Sequence, residues 1–97
     1  MRVVWSPLAI ERAAEAASYV AKDSPTTARR WVDDLFTAVA GLSRMAGRGR
    51  RVPELSRSEV RELLFGSYRV VYRVEPRRVA ILTIRQLRRR FDAKEIE

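Results

Sequence analysis

The spacing of apolar residues changes once along this chain, and that change constrains the fold more than any other feature. Up to residue 42 the apolar positions recur every three or four residues, and from residue 59 they alternate. The first pattern is that of amphipathic helices and the second that of half-buried strands. Arg2–Trp5 reads as a short strand. Ser6-Pro7 then has the form of a helix N-cap followed by a proline at the first helical position. Ile10, Ala13, Ala14, Ala17, Val20 and Ala21 carry that helix to about Lys22. Ser24-Pro25 repeats the start signal, and Ala28, Trp31, Val32, Leu35, Val39 and Leu42 form the stripe of a second helix. So short a link predicts an antiparallel helix hairpin, and the alanines allow close approach.

Residues 43–58, rich in Arg, Gly and Ser, read as a loop. Glu59–Phe65, Tyr68–Glu75 and Arg78–Arg85 then read as three strands, and residues 86–97 as an Arg-rich tail ending in a short helical turn. Gly66-Ser67 suits a two-residue type II′ hairpin turn, with Gly first, and Pro76-Arg77 closes the next hairpin. These turns set the register. The first pairs Phe65 with Tyr68, Leu63 with Val70 and Arg61 with Tyr72; the second pairs Val74 with Val79, Tyr72 with Ile81 and Val70 with Thr83. Leu63, Phe65, Tyr68, Val70, Tyr72, Val74, Val79 and Ile81 then share the face that packs on the helices. Val60, Glu62, Leu64, Arg69, Val71, Arg73, Leu82 and Ile84 share an open, concave face. The expected architecture is α+β, with the helix hairpin on one face of a small, mostly antiparallel sheet. At 97 residues the chain is read as one domain, 1–97.

Charge divides the chain as sharply as periodicity does. Residues 1–43 hold five basic and five acidic groups, whereas residues 44–97 hold fifteen basic and seven acidic, so the net charge of +8 lies in the second half. Eighteen of the twenty basic residues are Arg, which suits bidentate contact to phosphate or carboxylate. An anionic partner, nucleic acid or an acidic protein segment, is expected there. The competing reading is a soluble surface from an Arg-rich genome.

The chain contains no Cys and no His. Thiolate chemistry, zinc–thiolate sites and the usual general base are therefore excluded. No carboxylates show metal-ligand spacing, and Gly47-Arg48-Gly49-Arg50 lacks the strand-to-helix context of a phosphate loop. No cofactor, metal or small-molecule substrate is expected. Phosphodiester cleavage needs a proton acceptor and a proton donor besides charge stabilisation, and Arg supplies only the last. Tyr68 and Tyr72 point into the core by the register above. Glu62 lies diagonal to Arg69 and Arg73, and the open face reads either as an anion-binding concavity, with Arg88 to Arg90 near it, or as a surface ion-pair ladder on Glu62. The absence of a long apolar run or a signal-peptide pattern predicts a cytoplasmic protein with no membrane contact.

Two surfaces are candidates for partners. Trp5, Tyr19 and Phe36 are expected to line a groove for an amphipathic segment, with Trp31 on another side of the second helix. For each aromatic the alternative is simple core packing. Leu64, Val71, Leu82 and Ile84 make a second patch, which the tail or a partner must cover.

The order of motifs resembles that of the RelE/ParE toxin superfamily of type II toxin–antitoxin modules, closest to its ParE-like branch. Trp5-Ser6-Pro7 before a helix, Gly49-Arg50 with Pro53-Glu54-Leu55, and Val60-Arg61-Glu62-Leu63 carry it. So do Gly66-Ser67-Tyr68-Arg69-Val70-Val71-Tyr72 and Ile81-Leu82-Thr83-Ile84 before Arg88-Arg89. The resemblance implies a β-α-α-β-β-β fold and a plasmid-stabilization type of toxin. It also implies a cognate ParD-like antitoxin whose amphipathic C-terminal segment wraps the helix hairpin and sheet. Antitoxin contacts would then fall on Trp5, Tyr19, Trp31, Phe36, Leu64, Arg69 and Arg73, and target contacts on Arg88, Arg89 and Arg90. ParE-like members poison DNA gyrase, whereas RelE-like members cleave messenger RNA in the ribosome. In the RelE-like case Arg69, Arg88 and Arg89 would be catalytic. That branch also wants lysines before the second strand and a Tyr in the tail, where this chain has Arg48, Arg50, Arg51 and Phe91; many relatives have a His where Gln86 stands. These departures favour the ParE-like branch, a gyrase inhibitor that acts by binding. A relative that only binds its partner is the third reading.

Overall fold

The computed structural model describes residues 1–89 and 93–96. Strand β1 (Arg2–Trp5) leads into helices α1 (Pro7–Ala21) and α2 (Pro25–Ala40). After two 3-10 turns, Gly41–Ser43 and Ala46–Arg48, come β2 (Arg50–Arg51), β3 (Val60–Phe65), β4 (Tyr68–Val74) and β5 (Arg78–Gln86). A further 3-10 turn spans Ala93–Glu95. The five strands form one sheet in the order β1-β5-β4-β3-β2, antiparallel except for the parallel pair β1 and β5. Among the described residues, no helix is long and apolar enough to cross a membrane.

The helices begin where the sequence says they should. The Ser6 side chain accepts a hydrogen bond from the Ala9 N–H at 3.0 Å, and Ser24 accepts one from Thr27 at 3.2 Å, each followed by its proline. Ser6 does more than cap. Its hydroxyl donates to the Leu82 carbonyl at 2.9 Å, and its N–H donates to Ile81, so the start of α1 is tied to β5. Ala9, Ala13 and Ala16 are buried on α1 and Ala28, Leu35 and Val39 on α2. The small side chains let the hairpin close on itself while its apolar stripe covers the sheet.

The first hairpin has the expected register, from Phe65 opposite Tyr68 to Arg61 opposite Tyr72. Gly66 has φ 57°, and no other described residue has a positive φ, as a type II′ turn requires. The second hairpin holds only to Tyr72 opposite Ile81; beyond it Val71 faces Thr83 and Val70 faces Ile84. Leu82 is the extra residue of a β-bulge, and it flips the following side chains to opposite faces. Two expectations fail there: Val70 does not pair with Thr83, and Ile84 lies in the core under the helices rather than on the open face. Residues 43–58 are not all loop either, because β2 adds an edge strand, Arg50 pairing with Glu62 and Arg51 with Arg61.

The main core lies between helices and sheet, where Leu35, Leu42, Tyr72, Val79 and Ile81 are all fully buried. A second, smaller core occupies the face expected to be open: Val60 and Val71 of the sheet are covered by Val52 and by Ile96, with Leu55 and Leu82 at its margin. Leu64 alone of the predicted patch stays substantially exposed.

Tyr72 joins the two layers at the β2 end. Its hydroxyl donates to the Ala46 carbonyl at 2.7 Å and accepts from the Gly49 N–H at 2.8 Å. A Cβ on Gly49 would stand 2.5 Å from that oxygen and 2.6 Å from the Glu62 carbonyl, so only glycine fits there. Tyr72→Phe leaves the buried Gly49 N–H without its acceptor and should lose about 1–3 kcal/mol of unfolding free energy in urea. Gly49→Ala should lose a similar amount, about 1–3 kcal/mol, by overpacking. A Tyr72→Phe curve that superimposes on wild type would refute this account of the joint.

Candidate functional site

On the sheet face away from the helices, Arg69 of β4 is buried, its side chain only 4% exposed. Its guanidinium forks onto Glu54, with Nη2 2.6 Å from Oε2 and Nη1 3.0 Å from Oε1. Nη1 also donates to Glu62 Oε1 at 3.1 Å, and Nη2 to the Arg89 carbonyl at 2.6 Å. The other oxygen of the fully buried Glu62 accepts from Arg50 at 2.7 Å. The chain Arg50–Glu62–Arg69–Glu54 therefore binds β2, β3, β4 and the 52–55 loop together and holds the backbone after β5. The Glu54 hydrogen bond, together with that from Glu62, outweighs burial and raises the Arg69 pKa above its already high value. Arg69 is thus a fixed cation whose field is largely answered by two carboxylates. The Tyr72 phenol below it is raised by burial and stays neutral.

Only half of the expected ladder on Glu62 forms. Arg73 does not reach Glu62; it lies 3.7 Å from Glu75 and donates to the Ile96 carbonyl. Arg50 takes its place because β2 sets it directly opposite Glu62. Glu54 and Arg50 are the site residues that sequence reasoning missed, since both partnerships depend on how the 43–58 segment folds back. Among the described residues, no group of three His, Cys, Asp or Glu side chains could hold a metal ion.

The predicted aromatic groove does not assemble as a unit. Trp5 stacks on Phe36 with ring centroids 4.7 Å apart and tilted by 41°, and Phe36 remains largely exposed. Tyr19 is in the last turns of α1, about 20 Å from Trp5 at 1.5 Å per helical residue. Trp31 sits edge-on to Phe65 and Tyr68, at 5.6 and 5.4 Å, and clamps α2 over the Gly66-Ser67 hairpin. A different groove of about 820 Å³ forms at that end, lined by Tyr19, Trp31, Tyr68, Gln86, Leu87 and Arg88 among others. It brings together Tyr19 and Trp31, expected to meet one partner, with Arg88, expected to meet another. Arg89 lines the cleft beside it. Arg69, Arg73 and Leu64 face the other side of the sheet, and Arg90 lies outside the described residues. Leu87, exposed within a basic run, was the sequence signal for this groove.

The two arginines of the far face predict opposite outcomes on removal. Arg69→Met leaves Glu62 buried beside Arg50 alone, and should cost about 3–5 kcal/mol of stability in urea titration. Arg73→Met, at a partly exposed pair, should cost under about 1 kcal/mol. Equal losses would contradict the network.

Comparison with known proteins bears on what this arrangement serves. The family described as "ParE toxin of type II toxin-antitoxin system, parDE" matches residues 3–91. No curated protein matches the sequence. A solved structure described as "Chromosomal ParDE TA system from P. aeruginosa" superimposes with a TM-score of 0.75 at 24% identity, over 90% of this chain and 96% of that one. At that identity the likeness speaks for the fold, and it agrees with the α+β arrangement derived above. With nearly its whole length covered by the family, this chain belongs to the ParE toxins of type II toxin–antitoxin systems.

Proposed function

We propose that residues 1–97 act as one toxin domain that inhibits DNA gyrase by binding it, and that a ParD-like antitoxin with an acidic, amphipathic C-terminal segment neutralises it. The observation that carries this reading is the state of Arg69. The guanidinium that the RelE-like case would place at a scissile phosphate is engaged by Glu54 and Glu62, 2.6 and 3.1 Å away. A transition-state donor must be aimed at charge that develops during reaction, and this one is already committed. The chain has no His to move a proton, and Tyr72 is buried. What remains accessible suits binding: the Tyr19–Trp31 groove with Arg88 at its edge, the Trp5–Phe36 pair, and Leu64 on the far face. The family context and the ParDE neighbour support an antitoxin as one partner. The basic second half of the chain supports an anionic one.

Purified protein should inhibit gyrase supercoiling, and its cognate antitoxin should relieve the inhibition. Messenger RNA on translating ribosomes should stay intact; phased cleavage with gyrase untouched would establish the RelE-like alternative instead. Tyr19 is 61% exposed, so its truncation tests the groove without disturbing the core. Tyr19→Ala should weaken antitoxin binding by about 1–2 kcal/mol at an unchanged melting temperature. Unchanged affinity would remove the groove from that interface.

A further inference from the structure

Strands β2 and β3 share two rungs, and the rungs differ in charge. On the first, Arg50 faces Glu62, and the two close an ion pair at 2.7 Å on the far face of the sheet. On the second, Arg51 faces Arg61, so two like charges stand side by side on the opposite face. Like charges directly across an antiparallel pair repel. Neither guanidinium belongs to an ion pair among the described residues. Arg61 is nevertheless held in place, because its Nη1 donates to the Gly49 carbonyl at 2.9 Å.

The residue before Gly49 brings a third cation. Arg48 is exposed, and its Nη1 lies 3.5 Å from where a Cβ would stand on Gly41, at the C-terminal end of α2. The partial negative charge of that helix end answers it only in part. Between Asp34 and Glu54 the sequence has four arginines and no acidic residue, so this segment supplies no carboxylate of its own. The ligand that fits is a row of negative charges with little apolar surface. Met45 is the one large apolar side chain exposed between Gly41 and Pro53, whereas an amphipathic peptide needs several in line. The Tyr19–Trp31 groove offers those, and this surface does not. Planar guanidiniums suit phosphate oxygens, and a nucleic-acid backbone presents such oxygens in series.

We propose that Arg48, Arg51 and Arg61 form a contact site for the phosphodiester backbone of duplex DNA. The inference rests on the gyrase reading above for its setting, and adds that the protein touches the DNA which that enzyme holds as well as the enzyme itself. The repulsion between Arg51 and Arg61, unrelieved within the chain, is relieved by a phosphate that meets both. Contacts of this kind position the protein on the duplex and read no sequence.

The test uses the full chain and a short fluorescein-labelled DNA duplex of mixed sequence, with anisotropy followed across a salt series. Arg48→Gln combined with Arg51→Gln should lower the slope of log affinity against log salt by about 2, since each lost phosphate contact removes about 0.9. Arg61→Gln should lower it by about 1. Arg29→Gln combined with Arg30→Gln removes the same charge from an exposed part of α2 and should leave the slope unchanged. Arg51→Gln alone should not lower the melting temperature, because it takes away a repulsion. Equal slopes for the two double variants, or for wild type and the Arg48–Arg51 variant, overturn the proposal. So does binding to RNA of the same length without binding to the duplex. Displacement of the duplex by a Glu-rich peptide of equal charge and concentration makes an acidic protein the ligand and overturns it too. Failure of the wild type to inhibit supercoiling, with the slopes as expected, sinks the gyrase reading and leaves the DNA contact; inhibition with unchanged slopes does the reverse.

Discussion

A buried arginine between two carboxylates is the constraint on which this structure turns. Four charges, Arg50, Glu62, Arg69 and Glu54, come from three strands and a loop, and no two of them are adjacent in sequence. Such a network contributes little net stability compared with a well-packed apolar substitute, because taking ions out of water costs about what their attraction returns. Its effect is on geometry. Each guanidinium fork accepts its carboxylate in one plane, so the 52–55 loop, the β2 edge and the chain after β5 are held in a single arrangement. The second apolar core can then close over Val60 and Val71 instead of leaving that face wet.

The same network bears on mechanism. A guanidinium on the open face of a basic sheet invites comparison with a phosphate-cleaving site, and composition alone cannot tell a poised arginine from a committed one. Geometry distinguishes them here. Arg69 is held through both terminal nitrogens by its own chain, while Arg88 and Arg89, both exposed, follow β5 at the rim of the groove beside Tyr19. The Tyr19–Trp31 groove and the buried charge network therefore occupy opposite sides of one thin sheet.

Much of the fold was legible because local chemistry specified it. Ser6-Pro7 and Ser24-Pro25 fixed both helix starts, and Gly66 fixed a register that ran true as far as Tyr72. The bulge at Leu82 was not legible. No glycine or proline marks it, and what stabilises it is the Ser6 hydroxyl, 76 residues away, meeting the Leu82 carbonyl. Strand β2 escaped for a similar reason: two arginines have no strand signature, and only pairing with Arg61 and Glu62 makes them one. For the site, the Glu62–Arg69 contact followed from register, but Glu54 and Arg50 required knowing how a loop returns. The aromatics misled in grouping: Trp5 with Phe36 was right, whereas Tyr19 belongs to the opposite end of the hairpin.

The parallel pairing of β1 with β5 sets an order on biosynthesis. Arg2–Trp5 leave the ribosome more than 70 residues before Arg78–Ile81, the strand residues they pair with. Until those residues have emerged, β1 has no strand beside it, and the part of the core that Val79 and Ile81 supply cannot assemble. Long-range closure of this kind is slow and all-or-none in character. A chain that stops short of Ile81 thus leaves β1 without its strand partner and the sheet unclosed.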